Sequence, residues 1–528
     1  MSPTTRYRAS RSAPECAFAF RELSSTTSGR GSLNVVLHAH IPWVKRAGRW
    51  PFGEEWLFGA MLETYLPLLS LLGRLRARGI RQVITLGVTP VLIEMLRDSY
   101  LMRAFDGYLD SRAALLDADL VSMEDEALRS LAVSARDEIS RAREVWLGVY
   151  DRDLVAPLRD AAERGEIEII TSAATHPYLP LIDGNASLEV QLRTGIATTQ
   201  SAFGATPKGI WLPECGYAPH LLPVLERCGL NFFYTDARAI ARFAESSLGA
   251  LALPDSSLAF YVRDRLANDL VEDESSGYPG GPWYREFHKR HERSGSLYWR
   301  VTDRMAGLGS KAVYEPQRAQ EEALRDGQAF AEAIGHRLEC GSGTAPHLTL
   351  TFDAEFFGHW WSEGFAWLEE TLVQSADRGV AFRSPSQVLQ ETGTVGTFAL
   401  SESSWGVGGD HRVWLNTDTA GLWVELRRME SQLVERVRGL SQVDELCAMA
   451  ARELLLAQSS DWPFQITNGG AAAYGRSRFR THRARFDAAL SASAGHAYDE
   501  NILAEARAAD TCFAEIDLSP FTNSSAAR

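Results

Sequence analysis

The chain has no Cys-x-x-Cys pair; its six cysteines, Cys16, Cys215, Cys228, Cys340, Cys447 and Cys512, are scattered over 528 residues. Such spacing excludes a disulfide framework and a cysteine-ligated zinc site, and it fits reduced thiols in a cytoplasm. A basic surplus is missing too, since 54 Lys and Arg against 68 Asp and Glu leave a net charge of −14. Nucleic acid and anionic membranes both demand a basic face, so neither is expected as a partner, whereas a neutral substrate is. No run approaches the ~20 apolar residues of a membrane span. Residues 1–32 are rich in Ser, Thr and Arg, and their AFAF at 17–20 is too short for a secretory signal core. They are expected to be a disordered extension; Glu15 and Glu22 argue against an organellar import leader. There is no internal repeat, which excludes solenoids, and no low-complexity stretch outside that leader.

What is present is an ordinary globular composition, 45% hydrophobic and 23% charged, long enough for a large catalytic domain and at least one more. Short apolar segments alternate with helical spacing: LNVVLHAH (33–40), QVITLGV (82–88), IEIIT (167–171), GIWLP (209–213), LNFFYTD (230–236) and HLTLTF (347–352). That alternation predicts a parallel-stranded α/β barrel spanning residues 33–395. Residues 93–163 are too long for a simple connection and read as a helical insertion. From 238 to 300 the pattern is irregular and reads as functional loops or a lid. Beyond 395, ELRRMESQLVERV, VDELCAMAARELLLAQ and FRTHRARFDAALSAS have apolar residues at helical spacing, so 396–528 is expected to be a helical domain.

The densest chemical signal is TFDAEFFGHWW (351–361), which sets Asp353 at the end of an apolar strand and follows it with aromatics. GIWLPECGY (209–217) repeats the design with Glu214. An Asp or Glu after a strand is ordinarily a cap or turn residue. Two carboxylates at two strand ends, both flanked by sugar-stacking aromatics, point instead to the acid pair of a glycosidase. His38 and His40 lie two apart at another strand end and so share one face. A rival reading joins them with His176 and Asp353 as a zinc or manganese set, and a third reading leaves them as structural histidines.

Taken in order, HAHIPWV with GRWPFGEEW and ETYLPLL, EIITSAATHPYLPL, GIWLPECGY, TFDAEFFGHWWSEG and SSWGVGGDHRVWLN resemble the five sequence regions of glycoside hydrolase family 57. RELLLAQSSDWPF and YGRSRFRTHRARF are similar to the C-terminal helical domain of that family's 1,4-α-glucan branching enzymes. The resemblance spans about residues 33–490 and implies a distorted (β/α)7 barrel with a helical insertion and an all-helical C-terminal domain. It implies retention of configuration, with Glu214 as nucleophile and Asp353 as general acid/base, and no metal or cofactor. It places His38, His40 and His176 at the donor sugar, with His359 in the motif after the acid. Trp50, Trp360, Trp405 and Trp414 become candidate stacking platforms, while Asp461 and Trp462 should bring the C-terminal domain against the cleft. The chain departs from the branching pattern where Glu272 replaces an expected Trp, where Arg238 replaces a common His, and where residues 239–260 lack a Tyr. The expected activity is transfer of an α-1,4-glucan chain to a 6-hydroxyl. The alternatives are 4-α-glucanotransferase or α-amylase activity, or glucan binding without catalysis. The sequence leaves the oligomeric state open and is compatible with a monomer.

Overall fold

A computed structural model describes residues 31–240, 248–341, 345–438, 440 and 443–523. Nearly all of the N-terminal leader, and residues 241–247 of the Tyr-free stretch, lie outside the described residues. Among the described residues nine strands occur, β1 (Ser32–Ala39), β2 (Ile84–Val88), β3 (Ile167–Ile170), β4 (Gly209–Ile210), β5 (Phe232–Asp236), β6 (Leu251–Ala252), β7 (Ala259–Arg263), β8 (His347–Asp353) and β9 (Ala381–Phe382). They form two ladders, β3-β2-β1-β8 and β4-β5-β7-β6, in which only β6 runs antiparallel to its neighbour; β9 pairs with the start of β1. A parallel bridge between Thr171 and Ile210 joins β3 to β4, and the Asp264 N–H donates to the Thr349 carbonyl at 3.2 Å to join β7 to β8. These two seams close β1, β2, β3, β4, β5, β7 and β8 into a ring of parallel strands, a distorted (β/α)7 barrel. Helices cover its outer face, which is why β1 and β2 are buried along nearly their whole length and read as continuous apolar runs.

The seventh parallel strand, β7, lies in the stretch read from sequence as irregular. Its AFYVR is too short to show a period. It passes straight into the helix Arg265–Glu272, whose first turn is capped by the Asp264 carboxylate accepting from the Ala267 N–H at 2.9 Å. The strand expected over 209–213 stops at Ile210, because Pro213, Glu214 and Cys215 form a tight turn with Glu214 at φ 63° and Cys215 at φ 49°. Between β2 and β3 stand the expected helices, chiefly Ser99–Ser122 and Glu126–Gly148, capped by Asp98 and Asp125.

One absence inferred from sequence needs correction. The continuous helical run Glu54–Ala77 is long and apolar enough to cross a membrane, but 67% of its most apolar part is buried within the protein. Its apolarity is spent on the barrel core. At its centre Met61–Tyr65 widens into a π-turn, a distortion that frequently marks functional sites.

The C-terminal helices Ala420–Val437, Glu445–Ala457, Asp461–Asn468, Ala472–Ser493 and Glu500–Ala509 follow. They are tied to the segment after β1 through buried polar contacts. The Trp43 indole N–H donates to Asp510 Oδ1 at 2.8 Å, Arg485 Nη1 donates to Asp510 Oδ2 at 2.5 Å, and Arg478 Nη2 donates to the Trp43 carbonyl at 3.2 Å.

Candidate active site

The carboxyl ends of the barrel strands carry the site. β1 and β8 are in register with His38 opposite Asp353, so their side chains share a face. Glu214 sits in the turn after β4, and His176, after β3, also has a positive φ of 55°. Three non-glycine residues, Glu214, Cys215 and His176, thus hold left-handed backbone in two turns, the kind of strain that persists where surrounding structure enforces it. That enforcement is visible. The Trp405 N–H donates to the Glu214 carbonyl at 3.0 Å, and the Ser460 N–H donates to the His176 carbonyl at 2.9 Å.

Both Glu214 oxygens accept hydrogen bonds, Oε2 from the Trp405 indole N–H at 2.8 Å and Oε1 from the Ser460 hydroxyl at 2.8 Å. Ser460 spends its only proton there, so at 2.9 Å it must accept from His176 Nδ1–H. His176 Nε2 is then an acceptor, and His38 Nε2–H donates to it at 3.0 Å. This assignment needs the His176 ring neutral. Burial, followed by repulsion from the neighbouring imidazoles, drives the pKa of His38 and of His176 well below its ordinary value. His40 behaves oppositely. Burial works against its charge, but Asp461, Glu355 and Glu214 outweigh it and raise the pKa. Its Nε2 meets Asp461 Oδ2 at 3.0 Å, its Nδ1 meets Thr89 Oγ1 at 3.0 Å, and its ring lies 3.9 Å from that of His176.

Burial also lifts the carboxyls. Glu214 rises to about 7, with Asp461 and Asp353 adding to the effect and Trp405 and Ser460 opposing it. Asp353 rises to about 6, with Arg263 and His40 opposing. Burial is the main cause for both. Two donors on its two oxygens, from Trp405 and Ser460, favour the charged form of Glu214 and offset part of the effect of burial.

Several sequence-nominated residues lie elsewhere. Trp414 is fully buried and stacks on Tyr178 at 4.1 Å and 9°, a core residue and not a platform; Trp462, expected beside Asp461 at the cleft, is fully buried with its N–H on the Leu456 carbonyl at 2.8 Å. Large flat rings fill a core as readily as they stack on sugars. Trp50 and Trp360 are open to solvent at 74% and 44% exposure. His359 pairs with Glu63 of the π-turn and lines a cavity of about 790 Å³ beside the helical insertion. His40 and His176 engage both ring nitrogens with protein partners, so they bind one another's neighbours rather than present free donors to a sugar. Sequence reasoning missed Ser460, one residue before Asp461, because a lone Ser carries no spacing signal. It also missed Glu355, which accepts from the Tyr65 hydroxyl at 2.5 Å and from the His40 N–H at 3.2 Å.

The rival metal set is also altered. His40, His176 and Asp461, not Asp353, place ligand atoms within 4.8 Å of one another. Those atoms already serve hydrogen bonds, His40 with Asp461 and His176 Nε2 with His38, and the raised pKa of His40 favours a proton over a cation there.

Comparison with known proteins gives the same picture. A family model described as glycosyl hydrolase family 57 matches residues 34–401, and one described as the 1,4-α-glucan branching enzyme C-terminal region matches residues 425–521. A 1,4-α-glucan branching enzyme from Thermococcus kodakarensis is 34% identical, covering 94% of this chain and 79% of its own. A probable 1,4-α-glucan branching enzyme from Mycobacterium tuberculosis is 32% identical over 92% of this chain and 97% of its own. Among solved structures, the family 57 branching enzyme of T. kodakaraensis, crystallised with glucose and additives, superposes with TM-score 0.89 at 34% identity, covering 94% of this chain and 97% of that one. An α-amylase from Thermotoga maritima gives TM-score 0.82 at 26% identity, covering 94% and 100%. With the matched model covering most of the chain and relatives similar along nearly its whole length, the chain belongs to glycosyl hydrolase family 57.

Proposed function

We propose that the chain is a retaining 1,4-α-glucan branching enzyme of glycogen or related polysaccharide synthesis, working in the cytoplasm. The observation that carries the reading is Glu214, whose two oxygens accept from Trp405 and Ser460, within electrostatic reach of a half-buried Asp353. A Glu214 oxygen attacks the anomeric carbon while Asp353 passes its proton to the departing glycosidic oxygen, leaving a glycosyl ester and an ionised Asp353. The 6-hydroxyl of an acceptor glucan then gives its proton to Asp353 and displaces Glu214, so the acid is restored and one α-1,4 link has become one α-1,6 link. Ser460 and Asp461, both from the C-terminal part, complete the pocket wall, and such enclosure favours a sugar acceptor over water. His38, His40 and His176 act behind the nucleophile by keeping Ser460 and Asp461 oriented. The relatives named as branching enzymes, and five described cysteines that are all free thiols, support the activity and the compartment respectively.

A second reading, α-1,4 transfer or amylolysis, is favoured by one observation: Glu272 and Arg263 form an ion pair where an aromatic acceptor platform was expected. Incubation with amylose separates the two. New α-1,6 proton NMR signals with few new reducing ends are expected. Rising reducing ends without α-1,6 signals would make it a hydrolase, and chain-length redistribution with neither would make it a 4-α-glucanotransferase.

A further inference from the structure

Two departures from the branching pattern, Arg238 and Glu272, bear on Trp405, the first directly and the second through Arg263. Arg238 grips Asp236 with Nε at 2.8 Å from Oδ1 and Nη2 at 3.2 Å from Oδ2, and Asp236 is buried at the end of β5. The same guanidinium reaches across to the loop after β9, donating from Nη2 to the Trp405 carbonyl at 2.9 Å and from Nη1 to the Gly406 carbonyl at 3.1 Å. Arg263, at the end of β7, lies with its Cζ 5.9 Å from the Trp405 ring centroid, within cation–π range. Glu272 forms an ion pair with Arg263, and Arg263 Nε is buried without a hydrogen-bond partner, so Glu272 is the contact that anchors this guanidinium. Trp405 in turn holds the nucleophile through its indole N–H and packs edge-on against Trp211 at 5.2 Å, which stacks on His38 at 5.0 Å.

We propose that Arg238 and the Glu272–Arg263 pair are positioning residues that clamp Trp405 by its main chain and its ring, so that its indole N–H stays on Glu214. The clamp rests on the reading of Glu214 as the nucleophile. Arg238 fixes the successive carbonyls of Trp405 and Gly406, and Arg263 fixes the ring; together they leave the indole one orientation. An arginine fork suits this task because it bonds a carboxylate and two carbonyls at once, which lysine cannot do.

The test uses the full chain and α-maltotriosyl fluoride, whose fluoride departs without a proton from Asp353, so that kcat/KM reports attack by Glu214. Trp405→Phe should lower kcat/KM by about 10- to 100-fold, the usual effect of losing a hydrogen bond to a charged group. Losing a bond that favours the carboxylate should also move the acid limb of the pH profile upward. Asp353, Asp461, His40 and His176 face the same carboxyl, and their charges are unchanged by this substitution. Arg238→Gln and Glu272→Gln should each lower kcat/KM about tenfold and move the limb the same way. In a Trp405→Phe background each should change it less than about twofold, because positions acting through one group are not additive. Full additivity, or single variants within twofold of the parent, overturns the clamp. Thermal unfolding of each variant shows that the fold is kept, and Glu272→Gln keeps the side-chain shape. Activity in Glu214→Gln would defeat the nucleophile reading itself; an inactive Glu214→Gln with additive clamp variants defeats the clamp alone.

Discussion

At the scale of single residues, the site trades stability for chemistry. Burial raises Glu214 from 4.5 to about 7 and Asp353 from 3.8 to about 6. A carboxyl whose pKa is raised on folding binds its proton more tightly in the folded chain. Its favourable contribution is therefore fully present below the unfolded pKa and is lost as pH climbs through the folded one. Glu214→Gln and Asp353→Asn should thus abolish turnover yet stabilise the protein at pH 8 by about 2 kcal/mol, with no gain at pH 4. Thermal melts at the two pH values check this, and a gain at pH 4 but not pH 8 would reverse the sign of the argument. Ser460→Ala removes one donor to Glu214 and the acceptor for His176, so kcat should fall about 10- to 100-fold while the fold persists. The two acids and the three histidines were legible because each sits at a strand end within an aromatic or His-rich motif. Ser460 was not, since its role depends on reaching Glu214 across 246 residues of sequence.

At the scale of elements, the π-turn Met61–Tyr65 is the less visible half of the catalytic loop. Thr64 donates to the Phe357 carbonyl at 2.9 Å, Tyr65 donates to Glu355, and Glu63 pairs with His359, so one turn of helix grips the loop after Asp353 at three points. Gly358 lets them approach. Its φ is 89°, and a β-carbon there would stand 1.8 Å from the Glu63 carbonyl oxygen. Gly358→Ala should therefore cost about 2–4 kcal/mol and depress kcat, measured by denaturant unfolding and by glucan turnover; wild-type values for both would show that the loop is free of the π-turn. Long capped helices such as Ser99–Ser122 were readable from spacing and an Asp cap. The five-residue β7 was not, because so short a strand shows no period before its helix begins.

At the scale of the whole molecule, the C-terminal part is a structural partner of the barrel as well as a wall of its cleft. Trp43, Arg478, His482, Glu453, Arg485 and Asp510 form a buried polar network at that junction. Asp510 serves Trp43 and Arg485 together, so Asp510→Ala strands a buried guanidinium and should cost about 3–5 kcal/mol, read as a lower midpoint in denaturant. Because Ser460 and Asp461 sit at the same junction, the variant should lose activity in step with the loosened contact. An unchanged midpoint would show that the network does not bind the two parts.

The amino-acid sequence by itself determined the alternation of strands and helices, the carboxyl-end placement of Glu214 and Asp353, and the family. All of these are written in local period and in motifs of a few adjacent residues. Tertiary structure alone decided which of 14 tryptophans touches the nucleophile, that Trp414 and Trp462 are core, that Asp461 and not Asp353 joins the histidines, and that Arg238 and Arg263 meet at Trp405. Those outcomes depend on how segments hundreds of residues apart dock, and the free energy of docking belongs to shape and partner groups that no local pattern encodes.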